Sequence, residues 1–156
     1  MIVLSEKTII EEALNCVELI ANYASRGKEH PEIAGKFRSR ARETPVYSFT
    51  HGLAYALTLL AARSSKSLLE YGLLEAQSCK DVVERVLASK GSSEEVSYGL
   101  YGAILLYVLK RGKIIESKTF PELVREALTK PALEVKARPV LEWIKRFAEA
   151  YIEAEK

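Results

Sequence analysis

Apolar residues recur along this chain at three- and four-residue intervals, which is the pattern of amphipathic helices. Between residues 6 and 26, Ile10, Ala13, Leu14, Val17, Ile20, Ala21 and Ala24 mark one buried stripe. Thr8 with Glu11 predicts a capping box at its start, and Gly27 a cap at its end. Pro31 suits the first position of a second helix, on which Ile33, Ala34, Phe37 and Ala41 share a face at about 100° per residue. Pro45 is expected to end that helix, because its ring disfavours the α conformation at Thr44. It is also expected to open a third helix, capped by Thr44 and running over residues 45–63. Val46, Phe49, Leu53, Ala56, Leu57, Leu60 and Ala61 would line its buried side, making it the helix the fold packs around. Gly52, which costs about 1 kcal/mol relative to alanine inside a helix, would allow close approach of a neighbour.

Ser64-Ser65-Lys66-Ser67 is a polar break that supplies the next cap. Residues 68–88 read as helix with a joint near Ser78 and Cys79, and Val82, Val83, Val86 and Leu87 form the later stripe. Gly91 and Ser92 separate it from a helix over residues 94–110, which Ser92 and Glu95 begin as a capping box. There Tyr98, Tyr101, Leu105, Val108 and Leu109 fall on one side, and Gly112 stops the helix. Thr119-Phe-Pro121-Glu122 starts a short helix to about Lys130. The last helix carries Val140, Ile144, Phe147, Ala148 and Tyr151 at helical spacing, and Pro139 begins or kinks it. No stretch alternates with period two and no Asn-Gly or Asp-Gly hairpin turn occurs. Short connections between about six or seven helices predict an all-α, single-domain antiparallel helical bundle over residues 1–156.

A chain of 156 residues with 48% apolar content is long enough for one domain and too apolar for disorder. The net charge of +2 excludes a global polycation, so any nucleic-acid site must be a local patch. Cys16 and Cys79 lie far apart without a second ligand at metal spacing and are expected as buried, reduced thiols. Residues 1–4 are too short for a signal-peptide core. The apolar run of residues 46–62 is shorter than the roughly 20 residues a span needs and contains Ser48, Thr50, His51 and Thr58. A soluble, cytoplasmic protein without a membrane partner is expected.

Catalytic and cofactor signals are sparse. Tyr98-Gly-Leu-Tyr-Gly102 has two glycines but lies in a helical pattern with no strand before it, so it reads as close helix packing. The Gly99-x-x-Gly102 spacing also occurs in the clamp of KH domains, a fold that needs strands. The two histidines, His30 and His51, have no ligand partners at helical spacing, so no metal site is expected. His30 reads as a cap or loop residue and His51 as a packed or interface residue. Arg26-x-x-x-His30 is too tightly spaced for the arginine–histidine motif of helical ribonucleases. No Ser-His-Asp or Cys-His arrangement follows from these counts. No catalytic residue and no cofactor are therefore expected, and the chain is not read as an enzyme.

One feature rises above this background. Lys36, Arg38, Arg40 and Arg42 place four cations in seven residues with no acid among them. Lys36 and Arg40 fall on one shoulder of the second helix, Arg38 and Arg42 on the other. They are either a solvated surface balanced by Glu29, Glu32 and Glu43, or a patch that neutralises backbone phosphates without reading bases. Arg63, Lys66, Lys145 and Arg146 would widen such a patch if they folded nearby. Tyr47 and Tyr55 are candidates for stacking on bases, with packing as the alternative.

The segment Lys36-Phe-Arg-Ser-Arg-Ala-Arg42, followed by Pro45, an apolar stretch and Gly52-Leu53-Ala-Tyr-Ala-Leu-Thr-Leu-Leu60, resembles the signature of the small helical subunit of type III-B CRISPR effectors, the Cmr complex. Leu141-Glu-Trp143-Ile-Lys145-Arg146-Phe147-Ala148 is similar to that family's closing tryptophan helix. Two departures stand out: His51 replaces the polar residue, commonly Asn, before Gly-Leu, and residues 131–139 match poorly. The resemblance implies an all-helical, non-catalytic subunit with crRNA, target RNA and other CRISPR effector subunits as partners. Several copies would stack along the effector, contacting RNA through Lys36, Arg38, Arg40, Arg42, Arg63, Lys66, Lys145 and Arg146 while other subunits cut RNA. The rivals are the small subunit of the type III-A complex, a helical protein-interaction module without an RNA role, and a helical nuclease using His51 or His30.

Overall fold

A computed structural model of the chain describes residues 4–25, 31–75 and 77–155. Among them are eight α-helices, one 3-10 turn and no strand, so the fold is all-α with slightly more helices than expected. The helices are α1 Leu4–Ser25, α2 Pro31–His51, α3 Leu53–Ala62, α4 Lys66–Glu70, α5 Cys79–Leu87, α6 Ser93–Arg111, α7 Phe120–Thr129 and α8 Pro131–Tyr151. The 3-10 turn Tyr71–Leu73 follows α4 directly. No helix among the described residues is long and apolar enough to cross a membrane.

The fold is wrapped around α6, not around the segment after Pro45. Every residue from 96 to 109 is buried, because α1, α2, α3, α4, α5 and α8 all pack against it. A helix apolar on all sides can only be a central one, so the one-sided stripe expected for it was too narrow. Small residues let the neighbours come close. A Cβ on Gly99 or Gly102 would run into the side chains of Leu68 and Leu69, and one on Gly72 into the carbonyl oxygen of Ala103. The two glycines of Tyr98-Gly-Leu-Tyr-Gly102 are thus packing residues.

Pro45 does not end α2. The helix continues to His51, and the corner falls at Gly52, whose φ is +96°. An internal proline removes one helical hydrogen bond and costs about 3 kcal/mol. Packing on α6 and α8 offsets that loss, and the buried Thr44 hydroxyl donates to the Arg40 carbonyl at 2.8 Å. Thr44 is therefore not a cap. At Gly52 the left-handed conformation favours glycine, and the Leu53 amide at the start of α3 donates to Glu134 Oε1 of α8 at 2.8 Å. The close approach expected at Gly52 is that of this carboxylate: a Cβ there would stand 2.8 Å from the same oxygen.

The continuous α2 reverses the expected burial of two residues. Ile33, Ala34, Phe37 and Ala41 are buried as predicted. Val46 lies half a turn from Phe37 at 100° per residue, and Val46 and Phe49 are 62% and 80% exposed. On α3, Leu53, Ala56, Leu57 and Leu60 are buried as expected.

Other boundaries shift for local reasons. Thr8 lies inside α1, which already runs from Leu4, so it caps nothing; Gly27 and His30 lie outside the described residues. The buried stripe of α1 is Ile9, Ala13, Cys16, Val17 and Ile20, rotated from the predicted one so that Ile10 and Leu14 are only half-buried. The joint expected near Ser78 and Cys79 is the start of α5, whereas the part before it is shorter than expected, α4 followed by the 3-10 turn. Ser65 caps α4 by accepting from the Leu68 amide, and Ser78 with Asp81 forms a reciprocal capping box that starts α5. Ser92 caps α6, Thr119 caps α7 and Gly112 closes α6 as expected. Helix α8 begins at Pro131 and passes through Pro139.

Cys16 and Cys79 are buried as expected but not reduced: they form a disulfide between α1 and the first residue of α5, with Cα atoms 5.6 Å apart. The pairing joins residues separated by 63 positions, which only the packing of α1 against α5 brings together. Opening this bridge is expected to cost about 4 kcal/mol, the loop-closure value for that 63-residue separation. Urea unfolding followed by circular dichroism, with and without a thiol reductant, measures it. Superimposable curves would show that the bridge adds no stability.

Candidate nucleic-acid interface

Helical geometry separates the four cations of α2 as the sequence predicts, and Lys36, Arg40 and Arg42 each meet a different acid-bearing segment. Arg40 turns inward and is only 7% exposed. Its Nη1 donates to the Tyr98 hydroxyl at 2.5 Å and to Glu43 Oε2 at 3.1 Å, and its Nη2 donates to Glu94 Oε1 at 3.3 Å. Its guanidinium also lies over the Tyr98 ring, 4.1 Å from the centroid. Arg40, expected on the surface, is thus an internal tie between α2 and α6. A buried charge is tolerable only with this many partners.

Arg42 leaves the other shoulder toward α8, where its Nε pairs with Glu149 Oε2 at 3.2 Å. Arg146 pairs with the same carboxylate group at 3.0 Å and with Glu142 at 3.0 Å. Lys36 approaches Glu155 at 3.9 Å, and Ser39 donates to the same carboxylate at 2.7 Å. The acids that balance the basic segment therefore come largely from α6 and the C-terminal part of the chain. Glu32 makes no ion pair among the described residues, and Glu29 lies outside them.

Two of the four remote cations do come beside the segment. Arg63, the C-cap of α3, donates from Nη1 to the Tyr98 hydroxyl at 3.0 Å, so Arg63 and Arg40 share one phenol oxygen. Arg146 reaches Arg42 through Glu149. Lys145 is half-buried on α8 one residue from Arg146, while Lys66 is exposed at the start of α4. Arg38, Arg63, Lys66 and Lys145 have no carboxylate within 4 Å among the described residues. Nε of Arg38 is buried without a hydrogen-bond partner. The hydrogen bond that Arg63 donates to Tyr98 raises its pKa above the ordinary value, and an arginine is charged throughout the physiological range in any case.

The other exposed feature is apolar. Pro45, Val46 and Phe49 of α2 face Val135, Pro139 and Leu141 of α8 across an open groove of about 570 Å³. Arg138 and Glu142 stand among its lining residues, and the Arg138 guanidinium lies 5.9 Å from the Phe49 ring centroid. Nearby in sequence, the exposed His51 ring packs on Tyr55 at 4.7 Å between centroids.

Sequence reasoning missed the roles of Tyr98, Glu94 and Glu149. Tyr98 carried only the signal of an apolar position on α6, and nothing in linear spacing connects it to Arg40, 58 residues away. The i+3 spacing of Arg40 and Glu43 was the one local clue.

Fold and site define a small all-α protein with an apolar groove and the Arg42–Glu149–Arg146 pairs along the seam between α2 and α8, and with Arg63 held against α6 through Tyr98. The family model described as CRISPR-associated protein (Cas_Cmr5) matches residues 5–151. The chain belongs to that family and is a CRISPR-associated small subunit of the Cmr, type III-B, kind, a part of a Cmr complex with other Cas subunits. No curated protein and no solved structure matches it significantly.

The two shoulders differ in what their removal should cost. Arg40→Ala deletes three charge-assisted hydrogen bonds from a buried position and is expected to cost about 3 kcal/mol. Arg42→Ala deletes a surface pair and is expected to cost under about 1 kcal/mol. Chemical denaturation of both variants measures the difference; equal losses would contradict the internal role of Arg40.

Proposed function

We propose that this chain is a non-catalytic structural subunit that contacts the phosphates of crRNA and target RNA through the cations on and around α2. The observation that carries this reading is the gathering of Arg63 and Arg146, distant in sequence, beside the basic segment of α2. Lys36, Arg38, Arg42, Arg63, Lys66, Lys145 and Arg146 are the contacting residues, and Arg40 supports them from within. Family membership supports the setting, a type III-B effector in which copies of this chain stack beside the guide.

The mechanism is an exchange of partners. A backbone phosphate takes the place of Glu149 on Arg42 and Arg146, or meets Lys66 and Lys145 directly. Each contact releases counterions and reads no base. Sequence recognition stays with the guide by base pairing. One subunit offers few such contacts, so stacked copies reach useful affinity through avidity.

The apolar groove at Phe49 suits the second half of the role. A phenylalanine this exposed and set among apolar neighbours marks a protein contact rather than a solvent face, and another subunit of the complex is its occupant.

Three measurements test the reading. The triple variant Arg42→Gln, Lys145→Gln, Arg146→Gln should lower the magnitude of the log affinity–log salt slope for single-stranded RNA by about 2, at about 0.7 per contact. A parental slope in the variant would remove the phosphate role. Phe49→Asp should leave thermal stability unchanged and abolish co-purification with the other Cmr subunits; undiminished co-purification would exclude the groove. RNA should stay intact on prolonged incubation with the purified chain, and cleavage lost in His51→Ala would establish the nuclease rival instead.

A further inference from the structure

Arg63 differs from the arginines around α2 that pair with acids; Arg38, also without a carboxylate within 4 Å among the described residues, is half-buried rather than exposed. Arg40, Arg42 and Arg146 each pair with carboxylates. Arg63 is exposed, yet it is anchored by a neutral oxygen, the Tyr98 hydroxyl at 3.0 Å, with its guanidinium carbon 5.4 Å from the centroid of that ring. The phenol oxygen of Tyr98 is what orients the guanidinium. Tyr98 is itself buried and gripped from its other side by Arg40 at 2.5 Å. The acids in this cluster, Glu43 and Glu94, are both bonded to Arg40 rather than to Arg63.

This arrangement has a physical consequence. An exposed arginine normally loses side-chain entropy when it binds an anion, or must first give up an acidic partner. Arg63 does neither. It is held in place before the anion arrives, and the phenol that holds it does not cancel its charge. Its position at the C-terminus of α3 steadies the guanidinium itself, since the negative end of the helix dipole favours a cation there; attraction for an anion comes from the guanidinium alone. A guanidinium presents five donors, and its planar fork matches the oxygens of a phosphate.

We propose that Arg63 is a pre-organised receptor for one backbone phosphodiester of a bound RNA strand, and that Tyr98 is its positioning residue. The inference rests on the RNA-contacting reading above and sharpens it. The cations paired with acids contribute diffuse attraction, whereas Arg63 supplies a contact of fixed geometry. Arg40 serves that contact through Tyr98: its charge is spent on Glu43 and Glu94, and its hydrogen bond fixes the phenol that fixes Arg63.

The test is a double-mutant cycle on the full chain, with a fluorescent single-stranded oligouridylate as the probe and affinity measured across salt concentrations. Arg63→Gln should weaken binding several-fold and lower the magnitude of the salt slope by about 0.7. Tyr98→Phe removes one oxygen and no charge, so it should weaken binding in the parent and have no further effect in the Arg63→Gln background. Equal weakening in both backgrounds would show Tyr98 to be merely structural and overturn its positioning role. A parental slope in Arg63→Gln, beside a reduced slope in the triple variant at Arg42, Lys145 and Arg146, would overturn the receptor while sparing the broader reading. Absence of RNA binding by the parent chain would overturn both. If Arg63→Gln leaves RNA binding intact but weakens co-purification with the other Cmr subunits, its ligand is a carboxylate of a partner and the phosphodiester assignment fails. Should Tyr98→Phe not fold, the slope of Arg63→Gln still decides the receptor, and Arg63→Lys takes its place for the positioning role: it keeps the charge and loses the fork held by Tyr98, so parental affinity in Arg63→Lys would overturn that role.

Discussion

Burial of α6 along its whole circumference is the constraint on which the other helices depend. A run of buried residues from 96 to 109 can be covered only if neighbours approach from every side. The chain meets this with long helices α1, α2 and α8 and with the short pieces α3, α4 and α5. In the 3-10 turn the Gly72 backbone is pressed against the backbone of α6, leaving no room for a side chain. The disulfide then joins α1 to the start of α5, two elements that both lie on α6. Core packing of this kind also explains why the internal prolines of α2 and α8 are tolerated: the helices are held by what they touch rather than by an unbroken hydrogen-bond ladder.

Much of this was legible one helix at a time. The all-α class, the caps at Ser65, Ser92 and Thr119, and the buried face of α2 follow from spacing and cap chemistry, which act within a few residues. The errors share a cause. Pro45 looked like a terminator because its local rule is strong, and the contacts that override it come from residues far along the chain. Once α2 runs on, the faces of Val46 and Phe49 change with it. The thiol state of Cys16 and Cys79 failed for the same reason, since linear distance carries no information about which helices pack together.

The candidate site was legible as a residue set and not as a mechanism. Four cations without an intervening acid are visible in any reading of residues 36–42. Their fates are set by α6 and α8, which take Arg40 inside and tie Arg42 to Glu149. Of the residues proposed to widen the patch, Arg63 arrives through a tyrosine and Arg146 through a shared glutamate, pairings that no periodicity predicts.

These pairings also set how the surface can respond to a polyanion. A cation bound to a carboxylate of its own chain must lose that partner before meeting a phosphate, and surface pairs are weak enough, about 0 to 1 kcal/mol, for the exchange to run both ways. The acids of α8 thereby neutralise Arg42 and Arg146 locally while leaving both cations exchangeable. On the proposed reading, a strand that presents several phosphates at once competes with these internal acids better than a single anion does. In the proposed role, the guanidinium of Arg63, fixed by Tyr98, would give such a strand a point of registration, while the exchangeable pairs would supply attraction that grows with each copy in the complex.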